Sequence, residues 1–435
     1  MAYNAKNITV LEGLEPVRER PGMYIGSTST KGLNHLIYEI VDNSVDEHLA
    51  GYCDQIKVTL NKDGSATIED NGRGIPVDLH EMGYPAERII MTTLHAGGKF
   101  DNTSYKTSGG LHGVGSSVVN ALSSKMIVDV KRDGVIHHDE YARGKPVIKL
   151  KKGELLPTIG KAKGTGTITT FYPDNTIFDT VKFKASSIEQ RIHETVYLNP
   201  GLTIIFHNER DNKEPVEYHE SEGIVGFVKE ITKDNQNLTD VISISGEKDG
   251  ITVEAAFRFT DQYGDNIAGF CNNINTIEGG THVNGFKTGF AKVINQYARE
   301  LGILKEKDQN FVGNDTRNGM VCVVAVKHPS PRFEGQTKTK LDNPDAANVI
   351  VSVLNKELQL YFDRNLETLK TVISCVEKAA KLRKAEEKIK TNLSDKKFAF
   401  EGNGKLARQE SNDPSKCEIF IVEGERKNCP YPSFL

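Results

Sequence analysis

Residues 109–122 read GGLHGVGSSVVNAL: four glycines fall within seven positions, and an apolar run follows without an intervening proline. Glycine lets backbone N–H groups approach a ligand closely, and the beginning of a helix adds a positive dipole. This combination predicts a loop that holds phosphate groups where a helix begins. Because a glycine-rich loop alone is weak evidence for nucleotide binding, the prediction depends on what the rest of the chain supplies.

The composition is typical of a globular protein. The chain has 435 residues, of which 37% are hydrophobic and 26% charged, so we expect two or three domains. No run of about 18 apolar residues occurs and no apolar signal core begins the chain, so we expect a cytoplasmic protein with no membrane contact. Six scattered cysteines without a CxxC pair predict buried free thiols. With a net charge of −4, any contact with DNA must come from local basic patches.

The hydrophobic periodicity mixes antiparallel strands with helices, which predicts an α/β sandwich rather than a parallel Rossmann sheet. A second unit is predicted from residue 219, and polar sequence at 392–414 predicts a linker. In the first unit we expect strands at 55–60, 65–69, 126–131, 135–141, 166–172 and 202–207, and helices at 33–50, 86–94, 114–122 and 186–197. In the second we expect strands at 239–244, 251–259 and 321–327, helices near 285–301 and 344–362, and a long helix at about 366–392.

A polar stripe runs along the predicted helix 33–50. His35, Glu39, Asn43 and Asp46 are spaced by four, four and three residues, which places them on one helical face. The simplest interpretation is a face in contact with solvent. The alternative is chemical. Glu39 would take a proton from an attacking water, Asn43 would offer a neutral oxygen to Mg²⁺, and His35 would orient the Glu39 carboxylate.

The loop after the second predicted strand reads DNGRGIP at residues 70–76. The carboxylate of Asp70 accepts hydrogen bonds, for example from the amino group of adenine, and the nearby glycines let a flat base lie against the backbone. A plain Asx turn would explain the same residues without a ligand. Thr167, in the segment Thr165-Gly166-Thr167, could support Asp70 through a water, or be an ordinary strand threonine.

Residues 97–105, from Gly97-Gly98-Lys99-Phe100 to Tyr105, lead into the opening glycine-rich loop. Glycines on both sides favour a lid that closes over a ligand, although a mobile surface loop would have the same composition. The motifs G-x-x-x-x-G-K-[ST], H-E-x-x-H and G-x-S-x-G are absent. Their absence excludes a Walker-type ATPase and argues against a zinc protease or an α/β-hydrolase.

The order of Glu39-x-x-x-Asn43, the Asp70 loop and the glycine-rich loop resembles the GHKL ATPase superfamily. That superfamily includes type II topoisomerases, Hsp90-type chaperones, MutL mismatch-repair proteins and histidine kinases. Longer motifs narrow the resemblance to the family of bacterial DNA gyrase B and topoisomerase IV B proteins, over about residues 3–424. These motifs are RPGMYIG at 20–26, VDNSVDE at 41–47, LHAGGKF at 94–100, GGTH at 279–282 and QTK at 336–338.

The resemblance implies an α+β fold in three parts. Residues 1–218 would form a GHKL (Bergerat) α/β-sandwich ATPase domain with an N-terminal dimerisation arm. Residues 219–392 would form a ribosomal-S5-like α/β transducer domain with a long C-terminal helix, and 393–435 a linker and the start of a TOPRIM domain. After Gly424 the sequence departs from the TOPRIM signature and lacks its acidic pair, so we expect no DNA cleavage by this chain alone.

The resemblance also implies roles for individual residues. Glu39 would be the general base assisted by His35, Asn43 would hold Mg²⁺, and Gln336 and Lys338 would reach the γ-phosphate of ATP. Without the resemblance, residues 336–338 would be a polar surface loop. The nucleotide would be bound by Tyr3, Asn43, Asp70, Gly74, Ile75, Pro76, Ile90, Gly97, Gly98, Lys99, Tyr105, Gly109, Gly110, Leu111, His112, Gly113, Val114, Gly115, Ser116, Thr167, Gln336 and Lys338. Tyr3 would reach the partner's nucleotide unless the terminus is disordered. Arg73 and Arg132 would line the outer edge, or be surface ion pairs.

The implied function is an ATP-operated clamp that forms a homodimer on binding ATP and Mg²⁺. It would capture double-stranded DNA and work with the DNA-cleaving partner of the family, gyrase A or topoisomerase IV A, with gyrase favoured over topoisomerase IV. Nine basic against five acidic residues in 366–397 support DNA contact weakly, since a solvated helix face has the same pattern. The alternatives are an Hsp90-type chaperone or MutL-type repair clamp, and a module that binds nucleotide without hydrolysing it.

Overall fold

The computed structural model describes residues 7–8, 10–99, 107, 113–211, 213–335, 337–395, 413 and 415. The chain divides into two units, Met1–Lys381 and Leu382–Leu435. The first contains every strand and helix named below, except the C-terminal end of the last helix. The expected domain boundary at 218/219 lies inside the first unit and stays a prediction. Most of the predicted linker, and residues 416–435 at the expected start of a TOPRIM domain, lie outside the described residues.

The N-terminal part of the first unit contains a mixed sheet. Its strands are β1 (Gln55–Leu60), β2 (Ala66–Asp70), β3 (Ser123–Arg132), β4 (Val135–Ala142), β5 (Lys145–Pro146), β6 (Thr158–Lys161), β7 (Gly166–Pro173), β8 (Thr203–Asn208) and β9 (Val216–His219). Among the described strands the order is β5-β4-β3-β7-β2-β1-β8-β9, with β6 paired to β4. Neighbours are antiparallel except β1 and β8, which run parallel.

Helices cover one face of this sheet. They are α1 (Glu15–Glu19), α2 (Gly22–Ile25), α3 (Thr30–Leu49), α4 (Ala86–Thr92), α5 (Gly115–Ala121) and α6 (Ala185–Leu198). The hydroxyl of Ser29 caps α3 by accepting from the Lys31 N–H. Buried residues of α3 recur at helical spacing, such as Leu33, Leu36 and Ile40, and share one core with strand residues such as Ile56. The result is the expected two-layer α/β sandwich.

A second sheet and its helices follow. The strands are β10 (Ile242–Lys248), β11 (Ile251–Phe259), β12 (Asp265–Cys271), β13 (Ile274–Asn275) and β14 (Met320–Lys327), in the order β10-β11-β14-β12-β13. The helices are α7 (Ile224–Ile231), α8 (Thr281–Glu300), α9 (Gly313–Arg317), α10 (Pro344–Val353), α11 (Gln359–Arg364) and α12 (Leu366–Asp395). A separate core joins β11 and β14 to α8, α10 and α12.

The fold class is the α+β arrangement expected, with differences in detail. A π-helical turn at Leu354–Leu358 divides the predicted helix 344–362 into α10 and α11. Strand β12, which pairs in parallel with β14, was not predicted. Its sequence, DNIAGFC, contains Asp265, Asn266 and Gly269, which are depleted in strands.

Two expectations from composition can be compared with the structure. Cys53, Cys271 and Cys322 are buried free thiols, and Cys375 is a half-buried one. Within the described part of the chain, no helix is long and apolar enough to cross a membrane.

Candidate functional site

The predicted site residues meet in a cavity of about 300 Å³. It lies among α3, the ends of β2 and β7, α4, the start of α5 and the loop that carries Lys338. The lining includes Glu39, Asn43, Asp70, Gly74, Ile75, Pro76, Ile90, Gly97, Gly98, Lys99, Gly113, Val114, Gly115, Ser116, Thr167 and Lys338. Residues from seven separate segments of the sequence therefore share one cavity.

Glu39 projects from the middle of α3 beside the beginning of α5. Nε2 of His35, one turn earlier, lies 3.0 Å from Oε1 of Glu39. Burial alone would raise the pKa of Glu39, but the contact with His35 and the charges of Lys338 and Lys99 lower it to about 2. The carboxylate is therefore ionised and faces two lysines, which is an arrangement that also suits a phosphate group.

Asn43 lies one turn after Glu39 and connects α3 to both glycine-bearing segments. Its Oδ1 accepts a hydrogen bond from Nζ of Lys99 at 2.8 Å, and its Nδ2 donates to Oγ of Ser116 at 3.1 Å. Nζ of Lys99 also lies 2.6 Å from Oδ2 of the buried Asp46. The Asn43 oxygen thus already receives a cationic group inside the cavity.

The donor set near Asn43 fits Mg²⁺ bound mainly through phosphate. No group of three or more His, Cys, Asp or Glu side chains suited to a metal occurs among the residues that the structure describes. Mg²⁺ in nucleotide sites commonly takes only one or two protein oxygens together with phosphate oxygens and waters. Asn43 Oδ1 is such an oxygen, provided that Lys99 moves.

Asp70 ends β2 at the opposite side of the cavity and is held by three donors. Its Oδ2 accepts from Oγ of Ser44 at 2.8 Å, and its Oδ1 accepts from the N–H groups of Gly72 and Thr167 at 2.9 and 3.3 Å. Burial raises the pKa of Asp70, and these hydrogen bonds oppose the rise. An ionised carboxylate has about four lone-pair positions, so acceptor capacity remains for an amino group in the cavity.

Close backbone approaches require glycine both in the Asp70 loop and at the start of β7. Gly74 has φ +75°, and a Cβ on it would lie 3.0 Å from the Lys131 carbonyl oxygen. A Cβ on Gly166 would lie 2.0 Å from the Asp70 carbonyl oxygen. The Thr167 hydroxyl accepts from the Ile75 N–H at 3.3 Å, while its own N–H bonds to Asp70. Thr167 therefore contacts Asp70 directly through its backbone rather than its hydroxyl.

Lys338 enters this cavity from the second half of the chain. Its residue is only 7% exposed, and its φ of +55° is rare for a residue with a side chain. Its charge helps to lower the pKa of Glu39, and it opposes the rise that burial causes in the pKa of Asp42. A lysine about 300 positions after Glu39 in the sequence thus contributes to the electrostatics of the same site.

Two arginines border the cavity. Arg73 forms a bidentate ion pair with Glu47, at 2.9 Å for both nitrogens, and its guanidinium lies 4.0 Å above the ring centre of Tyr52. Nη1 of Arg132 donates to the carbonyl oxygen of Gly74 at 2.8 Å. Arg73 is thus both an ion-pair partner and a lining residue, so the two interpretations from sequence do not exclude each other.

Ser44 and Glu47 line the cavity but were missed from the sequence. Glu47 continues the four-residue spacing of Glu39 and Asn43, which was the available signal, whereas nothing local distinguishes Ser44 from a helix-core serine. Several predicted residues lie outside the described part of the chain: Tyr3, Tyr105, Gly109, Gly110, Leu111, His112 and Gln336. The roles of all site residues stay predictions.

The α/β sandwich with this cavity is an ATPase domain of the GHKL class. Residues 28–177 match the family model described as "Histidine kinase-, DNA gyrase B-, and HSP90-like ATPase". Residues 223–392 match the model described as "DNA gyrase B".

Similarity to individual proteins shows which family of this ATPase class the chain belongs to. The chain is 48% identical to the DNA gyrase B protein of Haloferax lucentense over 429 residues, 97% of this chain and 66% of that relative. It is 44% identical to the DNA topoisomerase 4 B protein of Bacillus subtilis, over 97% of this chain and 65% of that relative. The crystal structure of the 43K ATPase domain of Thermus thermophilus gyrase B, in complex with an aminocoumarin, has a TM-score of 0.72 and 39% identity, covering 87% of this chain and 97% of that one. The chain belongs to the gyrase B and topoisomerase IV B family, and it spans about two thirds of the curated relatives' length.

Proposed function

We propose that the chain is the ATP-hydrolysing clamp of a bacterial type II DNA topoisomerase, and that the topoisomerase is gyrase rather than topoisomerase IV. The observation that carries this proposal is the presence of Glu39 and Lys338 in one cavity. Glu39 belongs to the N-terminal sandwich, and Lys338 to a loop of the second sheet and its helices. A ligand that contacts both links the two parts of the chain, which is what a clamp operated by ATP needs.

The charges around Glu39 suggest why this residue would act as a base only when ATP is bound. With Lys338 and Lys99 beside it, Glu39 has a pKa of about 2 and is a weak base. Triphosphate oxygens would attract both lysines and place negative charge near Glu39, and both effects raise its pKa. Glu39 then takes the proton of an attacking water, while the lysines stabilise charge on the transferred phosphoryl group.

The remaining residues position the nucleotide. Asp70 accepts from the adenine amino group, and the Gly97–Lys99 segment and the glycine-rich loop surround the phosphates. Mg²⁺, when bound, supplies charge neutralisation between phosphate oxygens, and Asn43 would hold it through Oδ1. Lys99 would then leave Asn43 and contact phosphate.

Dimerisation on ATP binding, capture of double-stranded DNA and action with gyrase A are further parts of the proposal. They are supported by the match of residues 223–392 to a gyrase B model, which chaperone and mismatch-repair ATPases would not be expected to share. The gyrase preference is supported by a small margin of identity, 45–48% to the gyrase B relatives against 44–46% to the topoisomerase 4 B relatives.

The central test is Glu39→Gln in the full chain. We expect ATP turnover to fall by about 10²- to 10⁴-fold, because the base is lost, while binding of a non-hydrolysable ATP analogue persists. Glu217→Gln, on the exposed edge strand β9, is the matched control and should keep normal turnover. Unchanged turnover in Glu39→Gln would refute the assignment of the base.

A second measurement separates the clamp from the other ATPases of the class. Sedimentation of the wild-type chain with the ATP analogue should show a doubled mass, and with ADP a single one. Linear duplex DNA should stimulate its ATP turnover. A mass that stays single with the analogue would refute the dimer, and turnover insensitive to DNA would favour a chaperone-type ATPase.

A further inference from the structure

The loop that carries Lys338 is attached to the GGTH motif at residues 279–282, for which the proposed function gives no role. Three backbone hydrogen bonds join the two segments: from Glu278 N–H to Thr339 O at 3.0 Å, from Leu341 N–H to Gly279 O at 3.2 Å, and from Thr281 N–H to Leu341 O at 3.0 Å. Lys338 directly precedes the first of these attachment points. The position of the turn therefore fixes the loop directly after Lys338.

This attachment requires glycine. Gly280 has φ +133°, and a Cβ on it would lie 2.3 Å from the carbonyl oxygen and 2.6 Å from the nitrogen of Leu341. Both contacts are with backbone, which cannot move aside as a flexible side chain can. Gly279, with φ +74°, completes a turn that L-residues rarely adopt. The two glycines of the motif thus let the turn and the loop approach each other.

His282 fastens this turn from inside. Its side chain is fully buried, and its Nε2 lies 3.1 Å from Oγ1 of Thr276, the residue where the turn begins. The Thr276 hydroxyl donates its only proton to Gly269 O at 2.8 Å, so it accepts from Nε2–H of His282. Burial lowers the pKa of His282 to about 4, which keeps the ring neutral, and the hydrogen bond to Thr276 selects the tautomer with the proton on Nε2. The Gly279 N–H bonds to Thr276 O at 2.7 Å, so both ends of the turn are held at Thr276.

There is little room for the turn to shift. A Cβ on Gly269, in β12, would lie 2.7 Å from Nε2 of His282 and 2.9 Å from Oγ1 of Thr276. The His282–Thr276 pair thus rests on the backbone of the second sheet, and the Lys338 loop rests on the pair through the turn. Contacts thus run from β12 through the His282–Thr276 pair and the turn to the loop that carries Lys338.

We propose that His282, with Thr276, is a positioning residue for Lys338: the pair holds the 276–282 turn, which in turn holds the loop so that Lys338 reaches the γ-phosphate. This inference rests on the proposed function, because it assumes that Lys338 acts on ATP. A buried histidine that only fills the core would contribute equally to every activity of the protein. A positioning residue affects only the activities that depend on Lys338, such as ATP turnover, and not ADP binding.

The test compares two substitutions with and without Lys338. His282→Leu fills similar space without a donor, and Thr276→Val removes the acceptor. We expect each to lower ATP turnover about 10- to 100-fold, as misplacement of a catalytic group does, while ADP affinity changes less than about twofold. His282→Gln and Thr276→Ser keep the hydrogen bond and should restore most of the turnover. In a Lys338→Ala background, neither His282→Leu nor Thr276→Val should lower turnover further.

Each outcome decides a separate point. If His282→Leu lowers turnover by the same factor in both backgrounds, or lowers ADP affinity equally, the pair has only a structural role and the inference is wrong. If His282→Leu does not fold, as judged by thermal melting, Thr276→Val gives the same comparison. If Lys338→Ala alone leaves turnover unchanged, the proposed role of Lys338 fails and this inference fails with it. Loss of turnover in Lys338→Ala with normal turnover in His282→Leu and Thr276→Val refutes the inference alone.

Discussion

The carboxylate of Glu39 occupies the position where a side chain on Gly115 would begin. A Cβ built on Gly115 would lie 2.3 Å from Oε2 of Glu39, far closer than real Cβ contacts. The absence of a side chain at the first residue of α5 therefore determines where the candidate base lies. The carboxylate of Glu39 therefore packs against the glycine-rich segment at a distance that only glycine at position 115 allows.

Gly115→Ala should accordingly displace the Glu39 carboxylate. We expect turnover to fall by about 10- to 100-fold with little loss of stability, because alanine is a better helix former than glycine. Steady-state ATP hydrolysis and thermal melting measure the two effects. The control is Gly160→Ala on β6, where a Cβ would meet only Ile136 at 3.9 Å, and which should behave as wild type. Normal turnover in Gly115→Ala would show that Glu39 is not constrained as described.

Lys338→Ala should impair ATP hydrolysis and leave ADP binding nearly unchanged. Lys338 is expected to contact only the γ-phosphate, so ADP affinity should remain within about twofold, while turnover falls about 10³-fold or more, as for other cationic groups at this phosphate. ATP-driven dimerisation should be lost as well. Lys340→Ala is the control, since Lys340 is half-buried and its side chain pairs with Glu334 at 2.8 Å. A clear loss of ADP affinity in Lys338→Ala would place this lysine elsewhere on the nucleotide.

Asp70→Asn should weaken the binding of adenine nucleotides. Three donors, from Ser44, Gly72 and Thr167, point at the carboxylate, and an amide would present its own donor to them or to the ligand. One mismatched buried group costs about 1–3 kcal/mol, which corresponds to about a 5- to 150-fold loss of ADP affinity. Calorimetric titration with ADP measures it, and tripolyphosphate, which has no base, should bind as before. Retained ADP affinity would move recognition of the base to another residue.

The pKa of His282 makes stability depend on pH. The folded protein holds His282 neutral with a pKa of about 4, whereas an unfolded chain protonates it below about 6.5. Between these values the unfolded state binds more protons, so the free energy of unfolding decreases as the pH falls from 6.5 to 4. The decrease due to this group is about 3 kcal/mol at most. Urea unfolding across this range should show a shallower dependence in His282→Gln, and identical slopes would contradict the burial of a neutral ring.

Local patterns predicted the parts of the fold whose elements have clear periodicity. The helix containing Glu39, the hairpin before Asp70 and the central strands of the first sheet lie within about three residues of their expected positions. Short elements without periodicity, such as α9 and β9, were not predicted. Strand β12 was missed because its stability comes from neighbours on both sides, β14 and β13, and not from its own composition.

The candidate site was predicted by resemblance more than by local chemistry. Spacing alone placed Glu39 and Asn43 on one helix face, but nothing local indicated that residues near 338 approach them. The hydrogen bonds that attach the Lys338 loop to the 276–282 turn join segments about 60 residues apart, and no periodic pattern indicates such a contact. Ser44 was missed for the same reason, since its partner Asp70 belongs to another element.

The separation of Glu39 and Lys338 by about 300 residues has a consequence for synthesis on the ribosome. Among the described residues, the buried core beside Glu39 spans Leu14 to Phe206, with Tyr218 packed against it, so it can condense while the second sheet is still untranslated. During that interval a nascent chain would have the proposed base and the proposed adenine pocket but no Lys338. A growing polypeptide would hold nucleotide without consuming it, and the order of translation would itself delay hydrolysis until the second sheet has folded.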